Sequence, residues 1–384
     1  MSKRRSGDRN GGRAAKRRRR QQHLYLVLDD WLWGYSIRRI DLSSDSYSDE
    51  TPPHTAILRE GGERRLPPAV FRLEAHHDHP NYFAAAFGTK ILAMVPTVAG
   101  RDDTTHPLAP SCVAPVLDVR TRLLSFAPRP DANLVDPIFF PVDGRLFALC
   151  APGEQPGDPS WRELPKPPFE LRDVTAYAVH PDGRTIFVST KRRRTFTFDT
   201  AAEAHHLEWK RRRGRWALPF TGRAYFDSEL DAWVGLSGDP SAAGHVCACD
   251  VAASSNSDDH SGDGWCRAAG KLSKEKLFSE DPAEMHVGAT LVYMGGGSKF
   301  CLVQCVSIDD DKDDCGDERN FYRLQQDEED EESRHLFRLT TFSLKFDKDG
   351  HLTTGNSRRV RYYNVPDAAS DFALEDPVAF CFWI

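Results

Sequence analysis

Pro181-Asp182-Gly183-Arg184-Thr185-Ile186-Phe187-Val188-Ser189 sets an Asp-Gly turn and a cation ahead of an apolar strand. The same order recurs in Val142-Asp143-Gly144-Arg145-Leu146-Phe147-Ala148-Leu149-Cys150 and in Phe87-Gly88-Thr89-Lys90-Ile91-Leu92-Ala93-Met94-Val95. Glu229-Leu230-Asp231-Ala232-Trp233-Val234-Gly235-Leu236 and Val287-Gly288-Ala289-Thr290-Leu291-Val292-Tyr293-Met294 are looser copies. The turn has a physical cause. Gly reaches φ > 0 without a Cβ clash, and Asp bonds its own backbone a few residues on.

Two further elements repeat beside it. Short strands ending in Asp occur at Ile40-Asp41, Leu117-Asp118, Phe198-Asp199, Cys249-Asp250 and Phe346-Asp347. Strands running into a proline-bearing loop are read at Leu123 to Pro128, Trp161 to Pro165 and Trp216 to Phe220. Copies lie roughly 40 to 60 residues apart, the spacing of four-stranded propeller blades. With the strands expected at Leu24 to Leu28 and Tyr35 to Ile40, the reading is an all-β chain forming a single β-propeller of about six blades. The final apolar run, Val378 to Trp383, is expected to close the ring by completing the first blade, because an open row of strands leaves unpaired backbone groups at both edges.

Around this repeat the composition is that of a globular protein: 384 residues, 40% hydrophobic, 28% charged and 10% aromatic. No apolar run approaches the roughly 18 residues of a membrane helix, and the N-terminus has no signal-peptide core. The net charge of −6 conceals an asymmetry. Residues 1–22 hold ten Lys or Arg against one Asp, a balance of +9, which leaves −15 for the rest. With no aromatic and almost no aliphatic residue, 1–22 is expected to be a disordered basic arm ahead of a propeller spanning 23–384. Polar or acidic loop insertions are expected near 43–54, 254–264, 309–319 and 325–333. The nine cysteines form no Cys-x-x-Cys pair, and no Asn-x-Ser/Thr sequon occurs, so reduced thiols are expected.

Leu24-Tyr25-Leu26-Val27-Leu28-Asp29-Asp30 with Gly34-Tyr35-Ser36-Ile37 carries a further signal, together with Tyr225 to Leu236 and Ala289-Thr290-Leu291-Val292-Tyr293-Met294-Gly295. These stretches resemble the grass-expanded plant family catalogued as domain of unknown function sixteen sixty-eight, whose members are similar to kelch-type propellers. The resemblance covers roughly residues 23–384. It implies a kelch-like fold and a plant protein, and it implies no catalytic residue. The chain departs from the kelch pattern in that the Gly doublet ending the second strand of a kelch blade is read only at Gly295-Gly296-Gly297. With 22 residues ahead of the first expected strand in this sequence, no F-box is expected there.

Lys3-Arg4-Arg5 and Lys16-Arg17-Arg18-Arg19-Arg20, separated by a flexible spacer, have the layout of a two-part nuclear-import signal. Nuclear, or nuclear and cytoplasmic, residence follows, with an import receptor as one partner. The same charges permit salt-sensitive nucleic-acid contact. Two more basic runs, Lys191 to Arg194 and Lys210 to Arg213 with Arg215, flank the Phe196 to Asp199 strand. If they share one side, Arg192, Arg193, Trp209, Arg211 and Arg212 are candidates for contact with a protein partner.

Other constellations fall short. In His76-His77-Asp78-His79, extended backbone lets only His77 and His79 converge, so a turn is the better reading than a metal site. Asp309 to Asp314 lacks the Gly and Glu register of a calcium loop. The pairs Cys247/Cys249 and Cys301/Cys305 read as core thiols; zinc would need the two pairs to meet. Gly235 to Asp239 lacks the last Gly of a nucleophile elbow, and Gly295 to Lys299 lacks the spacing of a phosphate loop. No cofactor is implied. The expectation is a noncatalytic, monomeric protein-interaction propeller, against an alternative hydrolase or oxidase assembled at the channel mouth from several blades.

Overall fold

In the computed structural model, the described residues are 21–31, 33–42, 62–75, 82–94, 113–128, 136–150, 161–212, 216–250, 270–308 and 334–384. They form an all-β protein. The chain opens with β1 (Gln22–Trp31), β2 (Gly34–Asp41), β3 (Glu63–Arg65) and β4 (Ala69–Glu74). A second group holds β5 (Tyr82–Ala86), β6 (Lys90–Met94), β7 (Val113–Asp118) and β8 (Leu123–Pro128), and a third holds β9 (Ile138–Val142) and β10 (Arg145–Leu149). Next come β11 (Val174–Val179), β12 (Thr185–Thr190), β13 (Thr195–Asp199) and β14 (Trp209–Arg211). They precede β15 (Phe220–Asp227), β16 (Ala232–Ser237), β17 (Val246–Asp250) and β18 (Gly270–Leu272). The last stretch holds β19 (Glu284–Gly295), β20 (Lys299–Ile308), β21 (Arg334–Ser343), the short hairpin β22 (Lys345–Phe346) and β23 (Leu352–Thr353), β24 (Arg359–Asn364), helix α1 (Asp371–Glu375) and β25 (Val378–Trp383).

Pairing within each group is antiparallel between neighbours. The first sheet has the order β25-β1-β2-β4, the second β5-β6-β7-β8, and the third the hairpin β9-β10. In the fourth, β11-β12-β13-β14, and the fifth, β15-β16-β17-β18, the leading strands β11 and β15 are paired in parallel. The sixth is β19-β20-β21-β24, with β3 added in parallel at its edge. The last strand of the chain thus lies beside the first: Val27 pairs with Val378 and His23 with Phe382. Gln21 and Ile384 exchange both backbone bonds just beyond. Order therefore takes in Gln21 and Gln22, slightly ahead of the His23 expected from composition.

Why β1 shows an unbroken apolar run is explained by what lies on its two faces. Leu24, Leu26 and Leu28 pack with Val292, Cys301, Val303 and Phe337 of the sixth sheet, whereas Tyr25 and Val27 pack with Phe83, Ile91 and Leu117 of the second. A strand buried on both sides has no polar face to alternate with. The same holds along the chain. The second sheet meets the third through Leu92, Met94 and Phe139, and the third meets the fourth through Phe140, Leu149 and Val188. Phe187 and Trp233 join fourth to fifth, and Val234 and Phe300 join fifth to sixth. Followed in order, these apolar layers lead from the first sheet to the sixth and back to the first.

Turn chemistry is where the sequence placed it. Asp143 (φ 46°) and Gly144 (φ 69°) form the left-handed pair of a tight hairpin turn between β9 and β10. Asp182 Oδ1 accepts from the Arg184 and Thr185 amides, and Asp118 Oδ1 from those of Arg120 and Thr121. Three expectations need correction. Trp161 to Pro165 and Trp216 to Pro219 are not strands; proline supplies no N–H to a ladder. Each segment is held by other bonds, such as Trp161 Nε1–H to the Pro128 carbonyl. Phe346-Asp347 ends only a two-residue hairpin strand outside the sixth sheet. Val287 to Met294 is not a turn-then-second-strand copy either but the middle of β19, and the corresponding turn is Gly295 to Ser298. Gly288 sits at a bulge in β19, where a Cβ would overlap the Glu375 carbonyl oxygen, so close approach of α1 is what requires glycine.

Residues 1–20, with the whole expected import signal Lys3, Arg4, Arg5, Lys16, Arg17, Arg18, Arg19 and Arg20, lie outside the described residues. So do the insertions expected near 43–54, 254–264, 309–319 and 325–333, and His76 to His79. No helix among the described residues is long and apolar enough to cross a membrane.

Candidate functional site

The fourth sheet brings the two inner basic runs to one end. Lys191 to Arg194 form the turn from β12 to β13, with Arg193 at φ 54°. β14 runs back antiparallel to β13, pairing Arg211 with Phe196, and the Arg212 amide donates to the Thr195 carbonyl at 2.9 Å. Arg192, Arg193, Arg194 and Arg211 are exposed. Among the described residues no carboxylate lies within ion-pair distance of Arg192, Arg194 or Arg211. Arg212 is half-buried over the Trp216 ring at 5.0 Å and near Phe187 at 5.6 Å, and burial lowers its pKa. Such stacking fixes a guanidinium that would otherwise lose rotamer freedom on binding.

Hydroxyls brace this end from below. Ser189 Oγ and Thr195 Oγ1 lie 2.7 Å apart, Thr195 Oγ1–H donates to the Trp216 carbonyl, and the Leu218 amide donates to Ser189 Oγ. Trp209 is placed differently from the four arginines. It pairs with Phe198 at the far end of β14, its ring packs on Phe169 and Phe198, and its Nε1–H donates to the Pro165 carbonyl at 3.1 Å. That indole is half-buried packing for the third and fourth sheets, so the cation cluster stands without it.

Among the leading strands lies a cavity of about 270 Å³. It draws Phe87, Pro141, Arg223, Tyr225, Tyr293 and Phe382 from the second, third, fifth, sixth and first sheets, which is why no local motif announces it. Arg223 lies over the Tyr225 ring at 4.8 Å. Burial, then the neighbouring Asp227 carboxylate, pushes the Tyr293 phenol up to about 12, and burial pushes Tyr177 to about 12. Both therefore keep their protons at neutral pH and offer hydrogen bonds rather than base chemistry. Asp376 is raised by burial and by Asp136, whose carboxylate accepts from the Tyr82 hydroxyl at 3.2 Å. Beside them the buried Asp227 carboxylate accepts a hydrogen bond from the Ser298 hydroxyl at 2.7 Å.

The cysteine pairs do not meet. Cys247 and Cys249 face the layer between fourth and fifth sheets, and Cys301 and Cys305 the layer between sixth and first. All four are buried, and burial pushes Cys249 and Cys305 up to about 12. Two ligand-like groups do gather, Glu203 with His205 and His206, and Asp347 with Asp349 and His351. The first is wholly exposed. In the second, Asp347 is held near 2 by Lys274 at 2.5 Å and by the His351 and Asp349 amides, which is the bonding of a turn cap.

A family model described as "Protein of unknown function (DUF1668)" matches residues 21–363. No curated protein matches the chain. Among solved structures the chain is similar to apo AztD from Citrobacter koseri, with 10% identity over 75% of this chain and 91% of that one and a TM-score of 0.31.

Proposed function

The chain belongs to the DUF1668 family of proteins of unknown function, and from that premise we propose a kelch-like β-propeller that binds protein partners without catalysis in the plant nucleus. In this reading the six groups of strands are six blades, and β25 closes the ring by entering the first sheet. The return of the apolar layers from the sixth sheet to the first supports it. Blade strands then serve as scaffold, and loops of unequal length diversify the faces.

One observation carries the binding role: the backbone of β14 brings Arg211 and Arg212 beside the start of β13, next to the turn that holds Arg192 and Arg193, from runs nearly 20 positions apart. A body otherwise rich in carboxylates holds this cationic end ready for an acidic segment of a protein partner. Basic clusters on the arm, Lys3 to Arg5 and Lys16 to Arg20, would address the protein to the nucleus through an import receptor.

Affinity capture from plant tissue tests both parts, using the full chain and a 21–384 fragment, with and without nuclease. Recovery of the same proteins by both, insensitive to nuclease and lost on charge reversal at Arg192 and Arg193 with an unchanged melting temperature, is the expected result. Recovery that disappears with the arm or with nuclease would replace the reading by nucleic-acid association. A reporter fused to the full chain should leave the nucleus when Lys16 to Arg20 are made alanine.

A further inference from the structure

The cavity among the leading strands shares no lining residue with the basic end, and two of its features are unexplained by folding. The first is Phe87. Between the first and second strands of the third, fifth and sixth sheets, the left-handed turn position is taken by Asp143 (φ 46°), Asp231 (φ 49°) and Ser298 (φ 47°). In the second sheet it is Phe87, at φ 51°. A bulky side chain is disfavoured in that region, and it has no oxygen to bond the turn in return. Nor does it gain burial, for Phe87 is 45% exposed. A small polar residue would serve the turn better, so the aromatic ring is kept for what it borders, the rim of the cavity.

The second feature is Arg223. It projects from β15 to the same cavity, half-buried, with its guanidinium over Tyr225. No carboxylate lies within ion-pair distance of it among the described residues. A half-buried guanidinium without an anion is an incomplete pair, and its planar fork matches a carboxylate edge-on. Tyr225, Tyr293, Phe382 and Phe87 line the cavity with it. The Asp227 and Glu229 carboxylates lie beside the Tyr293 phenol. They disfavour a second negative charge there, which argues against a phosphate dianion and for a monoanion.

We propose that this cavity is a binding site for a small aromatic monocarboxylate, its carboxylate on Arg223 and its ring between Tyr225 and Phe87. Uncharged aromatics lose the ion pair, and acetate loses the ring contacts. This site is independent of the protein-binding role at the basic end and stands or falls separately from it.

The test uses the full chain with phenylacetate, phenylacetamide and acetate as probes, read by ligand-detected and protein-detected NMR titration. Phenylacetate should saturate with a Kd below about 5 mM, and both other probes should bind roughly tenfold more weakly or not at all. Arg223→Gln should weaken phenylacetate about tenfold and erase its preference over the amide. Phe87→Asp supplies the residue that neighbouring turns use, so it should keep or raise the melting temperature while weakening phenylacetate severalfold. That variant keeps the test decisive if the arginine variant misfolds. Phenylacetate that fails to saturate, equal binding of acid and amide, or indifference to both substitutions would overturn the site.

Discussion

At the junction of the first and sixth sheets, β19, β20 and β21 run for 12, 10 and 10 residues, whereas the third group has two strands of five. The long strands bury Val303, Cys305 and Phe337 against Leu24, Leu26 and Leu28. They also hold a polar row inside: Arg338 donates to the Leu277 carbonyl and Gln304 Oε1 from Nη1, and to the Tyr362 hydroxyl from Nε. Among the described residues of the third group, a proline-rich segment, Trp161 to Phe169, packs without joining a ladder. There the indoles do the holding, Trp161 on the Pro128 carbonyl and Trp209 on that of Pro165. One region is specified by continuous backbone ladders and the other by a few side-chain bonds to carbonyls that the ladder leaves over. The lesson is that equivalent positions around a repeat need not be filled by equivalent elements, provided the apolar layers on both sides are complete.

Deleting Val378 to Ile384 should have the largest effect. It strips β1 of its partner and removes Phe382 from the layer with the second sheet, so aggregated or protease-sensitive protein is expected. A soluble truncate with a sharp unfolding transition would show that the long-strand junction is not needed. Gly288→Ala comes next, because the new methyl meets backbone of α1 rather than a movable side chain. A loss of about 1–3 kcal/mol in urea denaturation is expected from such overpacking. Trp209→Phe probes the other region. The ring packing survives but the bond to Pro165 does not, for about 1 kcal/mol, with greater protease sensitivity in 161–169 than elsewhere.

The smallest effect should be a pH dependence from two histidines, one on the sixth sheet and one on the first. His286 stacks on Phe278 at 4.2 Å and lies 3.2 Å from Gln304 Nε2, and burial, then Lys276, lowers its pKa. His23 is lowered likewise, by burial and then Arg39. In the unfolded chain these rings take protons near 6.5 while the folded state resists, so stability should fall as the pH drops below 6.5. Thermal unfolding between pH 7.5 and 5.5 checks the sign, and His286→Gln should flatten part of the slope.

Much of the scaffold was legible because its causes are local. The Asp-Gly turns, the Asp caps at the ends of β7 and β13, and the paired apolar faces of β1 are all set within a few residues. The basic end was legible too, since one antiparallel hairpin relates its two runs. What failed was the reading of prolines beside tryptophan as strand ends at 161–165 and 216–219, where apolar content resembles a strand but N–H donors are missing. The cavity was invisible for a different reason. Phe87, Arg223, Tyr293 and Phe382 come from four sheets, and nothing in one sequence says which strands share a centre.

Closure of the ring is tested most directly by a bond across its seam. Gln21 and Ile384 form a hydrogen-bonded pair, so Leu24 and Cys381, three positions in, form a pair without ladder bonds, the closer-spaced kind that a disulfide can bridge. Leu24→Cys, oxidised in the folded state and mapped by mass spectrometry, should give a bond from residue 24 to Cys381 in high yield, together with a raised melting temperature. Its absence, with Cys381 left free under conditions that oxidise other engineered pairs, would mean that the two ends of the chain do not share a sheet, and the closed propeller would be wrong.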